Sequence, residues 1–469
     1  MKTYLFYISC IILLFAFSLN SCKKKVNFGQ GNITLSRDTL VFDTVFTTIG
    51  SATKQFKIYN RQSNSLRIEE IELEGGEDSP FRLNIDGSPG YLFKDLSILS
   101  NDSLFAFIDV QLEVNNQTNP MVIEDRIRFK TNGINQYMTL AVWGQDIYYH
   151  YSDIVNGTTL DLNEGIWPND KPHLIYGAAF VDEDKTLEIQ AGTKVYLHKN
   201  ARLFVYKGTL NINGTLGNEV EFRGDRLESE YENIRGQYYG IYFDSAKASS
   251  INYLNIKNGT TGIHLFGNND ANSESDYTLT LKNSKIYNNE NNGILIYHGA
   301  KIKAENTLIH NNAGFGFLLL HSGGFNFNHC NILGYNGDSQ SQAFVIINYF
   351  DNSVSPLYGS ISEGTVTNSI IYGNQEEEFA YSIITDQNPV NINLNFQRNI
   401  IKKDSTINEV FFSNGNIIHQ SPIFTDVSAY NFELQENSPG KNNADNLFPT
   451  SNGLNILGES ISPANIGAY

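Results

Sequence analysis

The sequence predicts an all-β chain in two parts, a β-sandwich followed by a parallel β-helix of about ten coils, and three observations predict it. The 469 residues are 41% hydrophobic, 12% aromatic and only 18% charged, with 58 asparagines, a neutral-polar, aromatic-rich composition of β type. The first third alternates apolar and polar residues in short runs between Gly, Asn, Asp and Pro turns. The second half repeats itself every 23 residues or so. The formal charge of -17 repels phosphate backbones and anionic headgroups, which argues against a nucleic-acid partner.

Taken in order, Met1 and Lys2 open a short basic start, and Tyr4 to Phe17 form an apolar run too short to span a bilayer but right for a secretory signal. Leu19-Asn20-Ser21-Cys22 follows, and it resembles the lipobox of bacterial lipoproteins. That resemblance implies cleavage before Cys22, so that 1–21 is the signal peptide, Cys22 carries the lipids and 22–32 is a linker. It also implies a cell-envelope address, with the membrane as a partner through the anchor. Lys23 in place of Asp favours the outer membrane in that family's pattern, while Lys23-Lys24-Lys25 lacks the acidic residues used for surface export in some lineages, so the face remains open. With Cys10 removed and Cys22 acylated, only Cys330 is left, and the exported fold must hold without an internal disulfide.

Residues 33–146 contain runs such as Thr39-Leu40-Val41-Phe42, Gln55-Phe56-Lys57-Ile58-Tyr59 and Leu104-Phe105-Ala106-Phe107-Ile108. Their spacing reads as a β-sandwich. The order GSATKQFKIYN, SLRIEEIEL, DRIRFKTNG, WGQD resembles the Ig-like modules that precede larger domains in bacterial surface lipoproteins, which implies a spacer or docking role. Residues 147–180 read as a junction and first-coil cap, where Tyr148, Tyr149, Tyr151 and Trp167 are expected to pack at the seam between domains, or to bind sugar if exposed.

The repeat places Leu281 to Lys303 directly before Ala304 to Asn326, with seven of 23 aligned positions identical. Asn283 meets Asn306, Ile286 meets Ile309, Asn288 and Asn289 meet Asn311 and Asn312, Gly293 meets Gly316 and His298 meets His321. A third copy begins at His329-Cys330-Asn331-Ile332. A leucine-rich repeat would need its Leu-x-x-Leu-x-Leu consensus and intervening helical stretches, and neither occurs. Short apolar run, Asn-Asn turn, Gly-Ile and a second apolar run describe one coil of a parallel β-helix. Each strand then bonds to its counterpart one coil later, about 4.8 Å away. Ile286, Ile309 and Ile332 should pile into one apolar column. The turn asparagines should take left-handed backbone and pass their amides from coil to coil. Coils are expected over 181–430, with 431–469, containing NFELQENSPG, NILG and PANIGAY, closing the far end.

This repeat and the C-terminal SPG, NILG, NIGAY series resemble right-handed parallel β-helix proteins of the pectate-lyase-like superfamily, particularly lipid-anchored members of unknown activity. The resemblance implies contact with polysaccharide, and, if the chain is an enzyme, a lyase or glycoside hydrolase. Calcium would be a cofactor only for a uronate lyase; otherwise none is implied. Asn455 stands where an acid is common before Ile-Leu-Gly, and the Asp-Asp and Gly-His-Gly blocks of the hydrolases are absent. No metal cluster is legible, and Glu376-Glu377-Glu378 reads as a solvated charge run.

Three places remain for chemistry. The stretch Gly224 to Gly240 interrupts the coils with Asp225, Arg226 and Tyr231, where Arg226 could serve as a high-pKa base or a carboxylate clamp, or the loop could simply satisfy its own charges. An insertion of 16 residues between Ile332 and Ile371 brings Tyr349, Asp351 and Tyr358, a wall for sugar stacking or a tolerated surface insertion. His298 and His321 lie one coil apart, close enough to share a metal, yet the next position at that interval is Phe344, so a side-chain ladder is the simpler reading. A non-catalytic adhesin or scaffold remains the alternative to glycan contact, and protein partners are not legible.

Overall fold

The computed structural model describes residues 28–469 apart from 115–120, 153–160, 268–276, 336, 339–340, 352–355, 386–389, 404–408 and 413. Cys22 and the signal lie outside the described residues. The chain divides into two units, Met1–Gln145 and Asp146–Tyr469. No helix of the described residues is long and apolar enough to cross a membrane.

The first unit is a sandwich of two five-stranded sheets. Alternation does the work predicted for it: Leu40, Phe42, Phe56, Ile58, Ile68, Ile71, Ile108, Ile127 and Phe129 point into one core while their sequence neighbours face out. Strand Ile134–Gln145 is the hub, antiparallel to Met121–Thr131 on one side and parallel to Thr39–Phe46 on the other.

The second unit is a right-handed parallel β-helix. Sheet one has eleven strands, from Tyr148–Tyr151 to Ile417–Ile418. Sheet two has nine, from Asp161–Leu162 to Phe379–Ser382, and sheet three nine, from Gly165–Trp167 to Ile392–Gln397. The ladder therefore starts at Tyr148, ahead of the expected 181, and the stretch expected as junction and first-coil cap carries strands Tyr148–Tyr151, Asp161–Leu162, Gly165–Trp167, His173–Tyr176 and the start of Ala178–Val181. Register fixes the core: Val195, Phe222, Ile256, Ile286, Ile309, Ile332, Ile371, Ile401 and Ile418 occupy one inward position in successive coils. The 16-residue insertion divides in two. Pairing of Phe317 with Phe344 places four extra residues at the corner between sheets one and two, and pairing of Phe327 with Val366 places twelve at the corner between sheets two and three.

Asparagine shapes the corners as composition suggested. Asn258, Asn288 and Asn311 all adopt left-handed backbone, with φ of 69, 56 and 55°. Asn288 Nδ2 donates to Asn258 Oδ1 (2.7 Å) and Asn311 Nδ2 to Asn288 Oδ1 (3.0 Å). A neighbouring row joins Asn289 Nδ2 to Asn312 Oδ1 (2.8 Å), and a third, at the opposite corner, joins Asn306 Nδ2 to Asn283 Oδ1 (3.1 Å). Gly293 follows the second row because a Cβ there would stand 2.6 Å from Gly316 O. These amides answer one another in a buried setting, where a lone amide would cost about 1–3 kcal/mol.

Both ends of the core are plugged by rings. At the first coil Trp167 is buried, stacked on His150 (4.3 Å) and His173 (4.5 Å). At the last, Phe412 from a short 3-10 turn stacks on Phe396 at 4.7 Å.

The C-terminal residues do not form a closing coil. They run back along the outside of sheet one, where Phe424, Phe432, Leu434, Ile456, Ile466 and Ala468 cover its outward Leu308, Leu333, Ile370 and Ile400. Polar ties hold this strap to several coils. Asn306 Nδ2 donates to Leu454 O (2.7 Å), Ser451 Oγ to Glu305 (2.6 Å), Ala468 N to Asn331 Oδ1 (3.1 Å) and Gly467 N to Asn368 O (2.7 Å). Asn455, standing where an acid is common, accepts from the Leu457 and Glu459 amides and donates to Glu459 Oε2, so it closes a turn within the strap. The charge run expected in solvent is split: Glu378 is fully buried, its carboxylate accepting from the Ala343 and Gln375 amides in space left by Gly334 and Gly373. Burial pushes its carboxyl up to about 7.

Deleting residues 421–469 exposes four large aliphatic side chains, each worth about 1.5–3 kcal/mol buried. The expected result is a fall in Tm of about 10 °C or more with a rise in hydrophobic-dye binding, read by thermal melting. Acid should act on the same contact. His310 lies beneath Tyr430 and Phe432 of the strap (5.0 and 5.1 Å), and burial lowers its imidazole to about 3, with a smaller lowering from Lys285. A lowered base contributes stability that is complete above pH 6.5 and is lost as pH falls toward 3, because the unfolded chain takes up the proton first. We expect this ring to cost about 2–3 kcal/mol between pH 6.5 and 4.5. Denaturant melts at both pH values check it, and His310→Phe should remove that share of the loss.

Candidate functional site

The corner between sheets one and two in the first coils gathers the chemistry. Tyr151, Tyr176, His198 and Asp225 occupy one position in four successive coils. Stacking one residue above the next makes a continuous strip. Tyr149 and Tyr151 stack on each other (6.2 Å, 18°), both meet Tyr176 (6.3 and 6.1 Å), and Tyr176 lies flat against the His198 ring (4.0 Å, 13°). His198 Nδ1 then meets Asp225 Oδ2 at 2.6 Å. Tyr149 is 47% and Tyr151 52% exposed, so the open end of the strip is apolar ring surface in water.

The loop 225–239 borders this strip. Val195 pairs with Phe222, 27 residues on, but Leu203 with Ile241, 38 on, so the corner between carries 11 extra residues. The loop is bolted down along the coils. Arg235 donates to Asn288 Oδ1 (3.2 Å), Asn311 O (2.9 Å) and Asn311 Oδ1 (3.1 Å), reaching across two asparagine steps. Glu232 pairs with Arg223 (3.0 Å) and with the buried Lys257; burial opposes ionisation, yet these two cations hold its carboxyl below the usual range.

Of the residues expected here, Asp225, Arg226 and Tyr231 do come together, and Arg226 is engaged in an ion pair. Its guanidinium forks onto Glu228 (3.1, 3.1 and 2.8 Å) above the Tyr231 ring (4.0 Å). The hydrogen bond it donates to Glu228 raises its pKa further, burial notwithstanding, so it keeps its proton. Across the loop Arg202 lies over Tyr239 (5.1 Å). His198 was missed in the sequence because its partner Asp225 is reached through a 27-residue coil, outside the 23-residue repeat; aligning Tyr176 with His198 by coil would have found it.

The other two candidates meet at a different corner, between sheets two and three. His298 and His321 sit one coil apart, rings 5.3 Å and 24° from each other, on connections of three and two residues. The residue stacked beyond His321 is Asn348, not Phe344, because the four-residue insertion shifts the register; Phe344 lies above Phe317 in the core. Tyr349–Phe350 and Leu357–Tyr358 pair antiparallel, the Phe350 ring meets Tyr297 (5.9 Å), and Asp351 is exposed. Burial lowers both imidazoles, and His321 Nδ1 meets Ser322 Oγ (3.1 Å). Among the described residues no three His, Cys, Asp or Glu side chains converge as metal ligands. Cys330 is buried, and burial pushes its thiol up to about 12, which leaves it inert.

A family comparison agrees on the fold. A family model described as a right handed beta helix region matches residues 185–341. No curated protein matches the chain. Among solved structures, the catalytic domain of Agl-KA is 9% identical, with 74% of this chain and 80% of that one covered and a TM-score of 0.21. A family 123 glycoside hydrolase from Clostridium perfringens is 8% identical over 25% of this chain and 30% of its own, with a TM-score of 0.19. The periplasmic chaperone SfaE is 12% identical over 25% of this chain and 66% of its own, with a TM-score of 0.17. The chain thus spans less than two thirds of the length of the last two.

Proposed function

We propose that the chain is a lipid-anchored cell-envelope protein whose β-helix makes contact with glycan. The observation that carries this reading is the strip of exposed Tyr149 and Tyr151 and half-buried Tyr176, ending in His198 and Asp225. Sugar rings present C–H faces that pack on aromatic rings and hydroxyls that pair with fixed polar groups, and a strip running along the coil axis suits a linear polymer. The Tyr4 to Phe17 run with Cys22 supports the anchor, since two or three acyl chains hold where one is marginal.

A second reading is an enzyme on the same surface, a polysaccharide lyase or glycoside hydrolase. It is favoured by the His198–Asp225 pair, an arrangement that also serves proton transfer. Incubation with neutral and uronic polysaccharides, with and without Ca²⁺, separates the readings: unsaturated products or new reducing ends establish turnover, and binding without either establishes a contact module.

For the strip, the double variant Tyr149→Ala, Tyr151→Ala is expected to weaken polysaccharide binding about tenfold or more while leaving the melting curve close to wild type, measured by affinity electrophoresis. Unchanged affinity would remove the strip from the proposal. For the anchor, Cys22→Ser should move the protein from the membrane pellet to the soluble fraction on cell fractionation.

A further inference from the structure

We propose that His198, held by Asp225, is a hydrogen-bond acceptor for a hydroxyl group, so that the strip selects neutral sugars over uronates. The inference rests on the glycan reading and names the class of glycan within it.

A carboxylate only accepts, so the His198 Nδ1 that stands 2.6 Å from Asp225 Oδ2 carries a hydrogen. In the neutral ring the hydrogen at Nδ1 leaves Nε2 with a lone pair and no hydrogen. Among the described residues no group bonds Nε2. The ring cannot turn over cheaply, because the flip breaks the bond to Asp225 and disturbs the stack on Tyr176 at 4.0 Å. Exposure divides the pair suitably: the His198 side chain is 34% exposed and that of Asp225 13%, so a ligand can reach the imidazole while the carboxylate stays behind it. A fixed acceptor at the end of a tyrosine strip is matched by a donor on a ring with apolar faces, which is what a neutral hexose or pentose offers.

The local charges point the same way. Arg226, the obvious clamp for a sugar carboxylate, is already forked onto Glu228. An arriving uronate would meet Asp225 and Glu228 in a chain of formal charge -17. Arg202 and the exposed Lys199, next in sequence to His198, are the cations that argue for an anionic ligand. Arg202 lies over Tyr239, and neither cation forms an ion pair with a described residue, so the two supply the control.

The experiment uses the full chain in detergent. Calorimetric titration with neutral xylo- and gluco-oligosaccharides and with oligogalacturonates of equal length should show the neutral series binding at least tenfold tighter. His198→Ala should lose at least tenfold, and His198→Gln, whose side-chain oxygen can still accept, should recover part of that loss; melting curves identify a variant that fails to fold. Nitrogen-15 NMR of the imidazole should place the hydrogen on Nδ1 in the wild type, a signature that a merely packing histidine does not require. Oligogalacturonates binding as tightly or tighter, whether or not the affinity is lost in Arg202→Ala or Lys199→Ala, would overturn the inference and leave the glycan reading standing. A hydrogen on Nε2, or neutral binding untouched in both His198 variants, would also overturn it. Binding of neither series would overturn both.

Discussion

Every other feature of the second unit depends on one constraint, the in-register hydrogen bonding of each strand to its counterpart a coil away. Parallel pairing at fixed register means that a side chain's neighbour above and below is set by backbone geometry and not by its own chemistry. Ile286 must sit on Ile309, and Asn288 on Asn311, whatever those residues prefer. The sequence answers by choosing residues that like their own company: branched aliphatics inside, amides at the corners, rings where the strip is exposed. The same constraint explains why the ends need plugs, since the last inward residue of a column has nothing above it.

The constraint also decided what could be read in advance. The fold was legible because identical neighbours one coil apart leave a period in the sequence, and Ile286, Ile309 and Ile332 carry it openly. The first coils were not, because Tyr148–Tyr151 and His173–Tyr176 share no residue type with the later copies at the inward positions; what they share is backbone register. The strap was illegible for a different reason. Phe424, Phe432 and Leu434 pack against the outward faces of Leu308 and Leu333, a contact across more than ninety residues with no periodic trace. Glu378 was misread because a charge run says nothing about which of its members meets two backbone amides and two glycines.

The candidate site was half legible. Asp225, Arg226 and Tyr231 stood out as an interruption of the repeat, and interruptions are where a solenoid departs from its own rule. Their roles were not legible, since the fork between Arg226 and Glu228 and the meeting of His198 with Asp225 are facts of geometry. The His298–His321 stack shows the reverse case. Its proximity followed from the repeat, while the residue stacked beyond it, Asn348 in place of Phe344, followed from a four-residue shift that only pairing reveals.

The strap alters how such a rod comes apart. A solenoid whose coils touch only their neighbours can fray from one end, each loss independent of the distant coils. Here a single segment reaches Asn306, Asn331 and Asn368, and its Gly458 stands against Leu216 far toward the other end. Peeling the last coil therefore disturbs contacts many storeys away, and a one-dimensional chain of independent steps becomes a structure that opens all at once, with a higher barrier to beginning.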